Sequence, residues 1–218
     1  KYWHKRIVRA GKNTLKPYNE NPDNLILKED DILFIDFGPI FDEWEADYGR
    51  TYVLGGDKSK IKLMNNLSSA WEDCKNYFVS KKNISGAELY EYAFNQAKVY
   101  GWKFGGEIAG HLIGYFPHEK LDQEDKTNYI HPDNNIDMYA LDINGNNRNW
   151  ILEIHFIDQE KEIGGFFEQL LTTWYYLINS IVFKLTFDIS ANLLTKTRAT
   201  IEMKIIKNFI VKFWLLNH

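Results

Sequence analysis

A carboxylate on the apolar face of a strand is the tightest constraint in this sequence. Residues 32 to 37 read Ile-Leu-Phe-Ile-Asp-Phe, and the two-residue alternation of a strand puts Asp36 on one surface with Ile32 and Phe34. A carboxylate buried there needs a partner. Eleven residues later, after a link from Pro39 to Ala46, Asp47 stands at the mouth of the next strand signal. Two antiparallel strands would bring both acids to one point, where their mutual repulsion demands a cation. Asp42, Glu43 and Glu45, in the link, read as solvated turn residues.

Composition bounds the rest. Of 218 residues, 44% are hydrophobic and 26% charged, which suits a folded chain with a core. A formal charge of −4 argues against a general nucleic-acid binder, because such proteins cluster Lys and Arg to neutralise phosphates. The single cysteine, Cys74, can form no internal disulfide and fits a reducing, cytoplasmic setting. No signal segment is recognisable at the start, and no apolar run reaches the ~18 residues of a membrane span. All 14 glycines and all five prolines precede residue 166. Residues 172–218 hold none, and they carry six Lys or Arg against two acidic side chains. The expected organisation is therefore a domain over residues 1–171 and a basic, aromatic extension over 172–218. That extension could cover the domain, bind a partner, lie on an anionic surface, or have no function.

Strand signals lie at Arg6 to Val8, Ile32 to Phe37, Arg50 to Leu54 and Trp150 to Ile157, with Asn144-Gly145 as a tight hairpin turn. Ile61, Met64, Leu67, Trp71, Cys74 and Phe78 recur at helical spacing and predict a helix over about residues 58–79. Cys74 on that stripe reads as core rather than as a nucleophile. Ser85 with Glu88 predicts a capped helix start, followed by Leu89, Tyr92, Ala93 and Ala97, and Gly101 a left-handed stop. Strands, two helices and strands again give a mixed α/β (α+β) class.

Three further stretches carry chemistry. Glycines at 110 and 114 bracket His111, with His118 seven residues on, and would let the backbone approach a ligand or metal closely. Alternation through residues 151 to 157 places Glu153 and His155 on one face, and Glu168 follows Gly164-Gly165-Phe-Phe. Taken singly, each is as readily a polar side chain satisfied by backbone or solvent.

In chain order these residues resemble a known family. Ile-Asp-Phe-Gly with Ala-Asp-Tyr-Gly-Arg-Thr, Gly-His-Leu-Ile-Gly with Pro-His-Glu, Leu-Glu-Ile, and Gly-Gly-Phe-Phe-Glu are similar to motifs of the pita-bread-fold metallopeptidases, which include Xaa-Pro aminopeptidase, prolidase and methionine aminopeptidase. The resemblance implies a curved, mostly antiparallel sheet with flanking helices around two divalent ions held by Asp36, Asp47, His111, Glu153 and Glu168. Four carboxylates and an imidazole suit Mn²⁺ first, with Co²⁺, Fe²⁺ or Zn²⁺ as alternatives. Two such ions can activate a water and polarise a scissile carbonyl. It further implies proton transfer by Glu153, contact of His118 with the substrate carbonyl, a peptide substrate, and the option of a homodimer. His155 is open between a supporting role and core packing.

The sequence departs from the family at three places. Tyr18 stands eighteen residues before Asp36, where the family carries a catalytic histidine, and tyrosine is a poor proton shuttle at neutral pH. Part of the fold's first half is expected to precede Lys1, and the extension has no counterpart. Two functions therefore compete: a metal-dependent exopeptidase of the Xaa-Pro type, and a non-catalytic member that keeps the scaffold as a binding module or does nothing.

Overall fold

The computed structural model describes residues 1–16, 18–116 and 125–172. In chain order they form β1 (Ile7–Ala10), β2 (Ile32–Phe37), β3 (Ile40–Phe41), β4 (Trp44–Glu45), β5 (Tyr48–Val53), α1 (Lys58–Ser80), α2 (Gly86–Tyr100), β6 (Lys103–Phe104), β7 (Gly110–Ile113), β8 (Asn149–Asp158) and β9 (Ile163–Leu170). Among the described residues seven strands make one antiparallel sheet in the order β1, β2, β5, β9, β8, β6, with β7 also paired to β8. The mixed α/β class expected from the sequence is the one observed.

Alternation divides β8 between two layers. Leu152, Ile154 and Phe156 are fully buried in a core with α1 residues Leu63, Leu67, Ala70, Trp71, Cys74 and Phe78. Trp71 Nε1 donates to the Leu152 carbonyl at 3.0 Å, tying helix to sheet across the buried layer. Gly165 on β9 makes the close approach possible, because a side chain there would run into Leu63 and Leu67. The odd-numbered residues Glu153 and His155 point the other way, where the chemistry lies.

Helix α2 begins and ends where its capping residues predict, and α1 covers the span its periodicity predicts with a cap of its own. Asp57 accepts from the amides of Ser59 and Lys60 at the start of α1. Ser85 Oγ accepts from the Glu88 amide at 3.1 Å, and Gly101 closes α2 at φ +82°. The buried stripe of α1 is rotated from the expected one in its first turns. Leu63 is buried where Ile61 and Met64 are half-buried, so the core face runs through 63, 67, 70/71, 74 and 78.

Two local expectations need correction. Asn144-Gly145 is a turn with Gly145 at φ +81°, but among the described residues β8 flanks it on one side and no strand leads directly into it on the other. Its cause is Asp142, whose side chain accepts from the amides of Asn144 and Asn146, each at 2.8 Å. The link 39–46 is itself a hairpin, β3 with β4, turning through Asp42 and Glu43 at positive φ. Glu45 is therefore not solvated: it is 7% exposed, its amide donates to the Gly114 carbonyl at 3.0 Å, and Gly114 N–H reaches its Oε2 at 3.3 Å. His118 and residues 173–218, all but the first residue of the extension, lie outside the described residues.

Candidate metal centre

Sheet register builds the site. Asp36 on β2 stands opposite Gly49 on β5, Gly49 opposite Glu168 on β9, and Glu168 opposite Glu153 on β8. Directly paired residues share a face, so three carboxylates lie in a row across four strands, ~5 Å per step. Asp47 joins them two residues before Gly49, and His111 on β7 pairs with Ile151, two residues before Glu153. Gly49 keeps the row open, since a Cβ there would sit 2.6 Å from the Phe166 ring and 2.8 Å from the Glu168 Cβ.

β5 and β9 touch through a single ladder pair, and side chains continue the join. Thr51 Oγ1 donates to the Phe166 carbonyl at 2.9 Å and accepts from the Phe166 amide at 2.7 Å. Arg50 donates to the Gly49 and Glu168 carbonyls at 2.7 and 2.6 Å and to the Gln169 side chain. Arg50 and Thr51, part of the motif that carried the resemblance, thus hold the backbone that aims Glu168.

The expected ligands converge. His111 Nε2 lies 3.3 Å from Asp47 Oδ2, 3.5 Å from Glu153 Oε1 and 3.9 Å from Glu168 Oε1. Its Nδ1 donates to the Leu112 carbonyl at 2.7 Å, which leaves Nε2 to face the acids. Gly110 has a packing role. At φ +137° it packs against the Ile151 carbonyl, which a side chain would strike, and so it fixes β7 on β8 and positions His111.

One site residue had no sequence signal. His4 Nε2 sits 3.2 Å from Asp47 Oδ1 and 3.4 Å from Asp36 Oδ1, delivered by a segment in which Trp3 donates from its amide to the Gly38 carbonyl and from Nε1 to the Ala46 carbonyl. His4 precedes β1 and belongs to no periodic run. Tyr18 lies beside it, ring centroids 6.0 Å apart. His155 is settled as a core histidine: its Nε2 bonds the Thr14 carbonyl at 3.1 Å, its ring packs with Phe34 and Phe166, and burial lowers its pKa.

Burial and close approach set the electrostatics of the cluster. Burial, then the charge of Asp47, pushes Asp36 up to about 7. Burial raises Glu153 to about 7 against the opposing pull of His111, and it lifts Glu168 well above the carboxylate range, helped by the charge of Asp47. Burial would also raise Asp47, but hydrogen bonds from His111 and His4 outweigh it and hold its pKa low. Burial pulls His111 down, and Asp47 and Glu153 overcome it, leaving the imidazole at about 9. His4 is raised in the same way, burial being outweighed by Asp47 and Asp36. Burial and mutual repulsion thus favour the protonated forms of the crowded carboxylates. Glu168 Oε2 is buried with no hydrogen-bond partner among the described residues, and such an orphaned carboxylate oxygen fits a cation. Two sets of side chains, each with its ligand atoms within 4.8 Å of one another, could each hold an ion: His4, Asp36 and Asp47; and Asp47, His111 and Glu168.

A pH dependence follows for the metal-free chain. Asp36, Glu153 and His111 keep their protons to higher pH folded than unfolded. Between about pH 4 and about pH 9 the native state therefore binds more protons, and stability falls as pH rises. Asp47, held low, acts in the opposite sense only below that window, and His155, lowered by burial, opposes the trend inside it as one group against three. Thermal melts of the chelated protein should show a midpoint descending across this range; a rising midpoint would contradict the assignment.

Comparison with known proteins agrees with this geometry. Residues 1–141 match the model of Peptidase_M24, metallopeptidase family M24. The chain belongs to this family. Over 59 residues it is 36% identical to a Mycoplasma genitalium protein assigned to the Xaa-Pro aminopeptidases, a match spanning 27% of this chain and 16% of that one. Among solved M24-like folds, a dipeptidase of Pyrococcus horikoshii OT3 superposes with a TM-score of 0.59 at 20% identity, over 79% of this chain and 44% of the other. The X-Pro aminopeptidase of Thermotoga maritima MSB8 gives 0.56 at 20% identity, covering 79% and 47%. The pita-bread fold is therefore shared, and this chain spans under half the length of those structures. As an M24 member it has a fold and family that imply divalent metals. No helix among the described residues is long and apolar enough to cross a membrane.

Proposed function

We propose that the chain is a two-metal exopeptidase of the Xaa-Pro aminopeptidase/dipeptidase type, whose metal centre belongs to residues 1–171, with Asp36, Asp47, His111, Glu153 and Glu168 as metal ligands. The observation that carries this reading is the single row of carboxylates across adjacent strands, ending on an imidazole and containing the orphaned Glu168 oxygen. A bound pair of dications, Mn²⁺ by preference, would supply Lewis acidity and lower the pKa of a water. Asp47 faces an imidazole on each of its two oxygens and is suited to hold both ions together. Glu153 Oε1, 3.5 Å from His111 Nε2, takes a proton readily, so it can accept one from the nucleophile and return it to the leaving amine. His118, three residues beyond the Tyr115 that hydrogen-bonds Glu43, is assigned to the substrate carbonyl from its motif alone. A chain whose one cysteine is a buried core thiol needs no oxidising compartment, which supports a cytoplasmic location.

A second reading has one observation behind it. Tyr18, in place of the expected histidine, is 53% exposed and meets the site at the edge of His4, which favours a member that binds metal without turnover. Release of the first residue from Xaa-Pro and Met-Ala peptides, measured side by side with Mn²⁺ and with a chelator, separates the two. The expected result is Mn²⁺-dependent cleavage of the Xaa-Pro peptide. A Met-first preference would move the substrate assignment, and absence of both cleavages would favour the second reading.

A further inference from the structure

We infer that His4 is a sixth protein ligand of the metal centre, supplying an imidazole to the ion held by Asp36 and Asp47, so that each ion has one imidazole of its own. This rests on the two-metal reading above and adds a residue outside its motifs.

Tautomer is the first argument. His4 Nδ1 lies 2.7 Å from the Lys5 carbonyl, an oxygen that can only accept, so Nδ1 carries a proton and Nε2 is the nitrogen that faces Asp36 and Asp47. Between two carboxylate oxygens that nitrogen needs a positive centre beside it, and it can meet the need as an imidazolium donor or, neutral, by giving its lone pair to a cation. The second argument is distance. Nε2 is 3.2 and 3.4 Å from the two oxygens, the edge length of about 3.0–3.4 Å expected for ligands that each sit about 2.1 Å from one ion.

Parallel construction is the third. His111 has the same arrangement on the other side of Asp47, with Nδ1 on the Leu112 carbonyl and Nε2 toward Asp47 Oδ2. A backbone carbonyl on the far nitrogen is how proteins orient a ligating imidazole. Finally, the place for His4 is built. Its side chain is 8% exposed, Trp3 anchors the segment to Gly38 and Ala46, and a Cβ at Gly38 would overlap the His4 ring. Residue 38 is thus bare where the imidazole passes.

The test uses the full chain, stripped with chelator and titrated calorimetrically with Mn²⁺ alone. Wild type should take two ions. In His4→Gln one ion should bind with wild-type affinity, which also shows that the variant folds, and the other should weaken about tenfold or more. Two ions bound with unchanged affinity in His4→Gln would overturn the inference and leave the two-metal reading standing. Failure of wild type to bind Mn²⁺ would overturn both. If His4→Gln binds neither ion, pulsed EPR of Mn²⁺-loaded His111→Gln decides: an imidazole ¹⁴N coupling there, lost in the His4→Gln/His111→Gln double variant, supports ligation by His4, and its absence in the single variant refutes it.

Discussion

Glu153→Gln is expected to lower Xaa-Pro peptide cleavage by about 10²–10⁴-fold at saturating Mn²⁺, the range for loss of a positioned general acid or base. The amide keeps the shape and one oxygen of the carboxylate, so β8 and its pairing with β9 should survive. What disappears is the capacity to take up and return a proton at Oε1, a capacity marked by a carboxyl raised to about 7 through burial. Comparing kcat with Mn²⁺ affinity in the same variant separates the roles. A rate that follows the metal affinity back to wild type at high Mn²⁺ would make Glu153 a ligand only.

Asp47→Asn should have the larger effect on the metals. Among the described residues Asp47 is the one carboxylate within 3.3 Å of both imidazoles, and its side chain is 2% exposed. It also accepts from the Tyr48 amide at 3.1 Å, a bond that asparagine can keep. Removing its charge should weaken both Mn²⁺ sites by at least about 100-fold, beyond the 10–100-fold typical of residues that act through a ligand. Calorimetric titration reads this directly, and undiminished binding of either ion would place Asp47 in one site instead of two.

What the sequence disclosed was set by how local each signal is. β2 runs from Ile32 to Phe37 as its alternation predicts, and α2 keeps the Ser85 and Gly101 boundaries that its caps predict, because caps and alternation act within a few residues. Strands β3 and β4 were missed since two residues each cannot show a period, and Glu45 was misread with them. β9 carries Gly164 and Gly165, which weaken a strand signal; they are there because Thr14 and the α1 leucines press against them. The Asn144-Gly145 pair signalled a turn correctly and a hairpin wrongly, because Asp142 suffices to make that turn. The convergence of Asp36, His111, Glu153 and Glu168 was legible through alternation and motif together. His4 was not, because its partner Asp47 lies 43 residues away and the contact exists only once β1, β2 and β5 have paired.

The row of acids running across β2, β5, β9 and β8 makes the site a check on strand alignment. A slip of one residue in β2, β9 or β8 turns its acid to the opposite face, and one in β5 displaces Gly49 and the neighbouring Asp47, so that the constellation dissolves. Misaligned sheets would then bind no dication, whereas the correctly aligned one is stabilised by RT ln(1 + [M]/Kd), about 2.7 kcal/mol when the free metal exceeds Kd a hundredfold. In a sheet where β5 and β9 share a single ladder pair, the ions would act as a proofreader of assembly, selecting one alignment before any peptide is met.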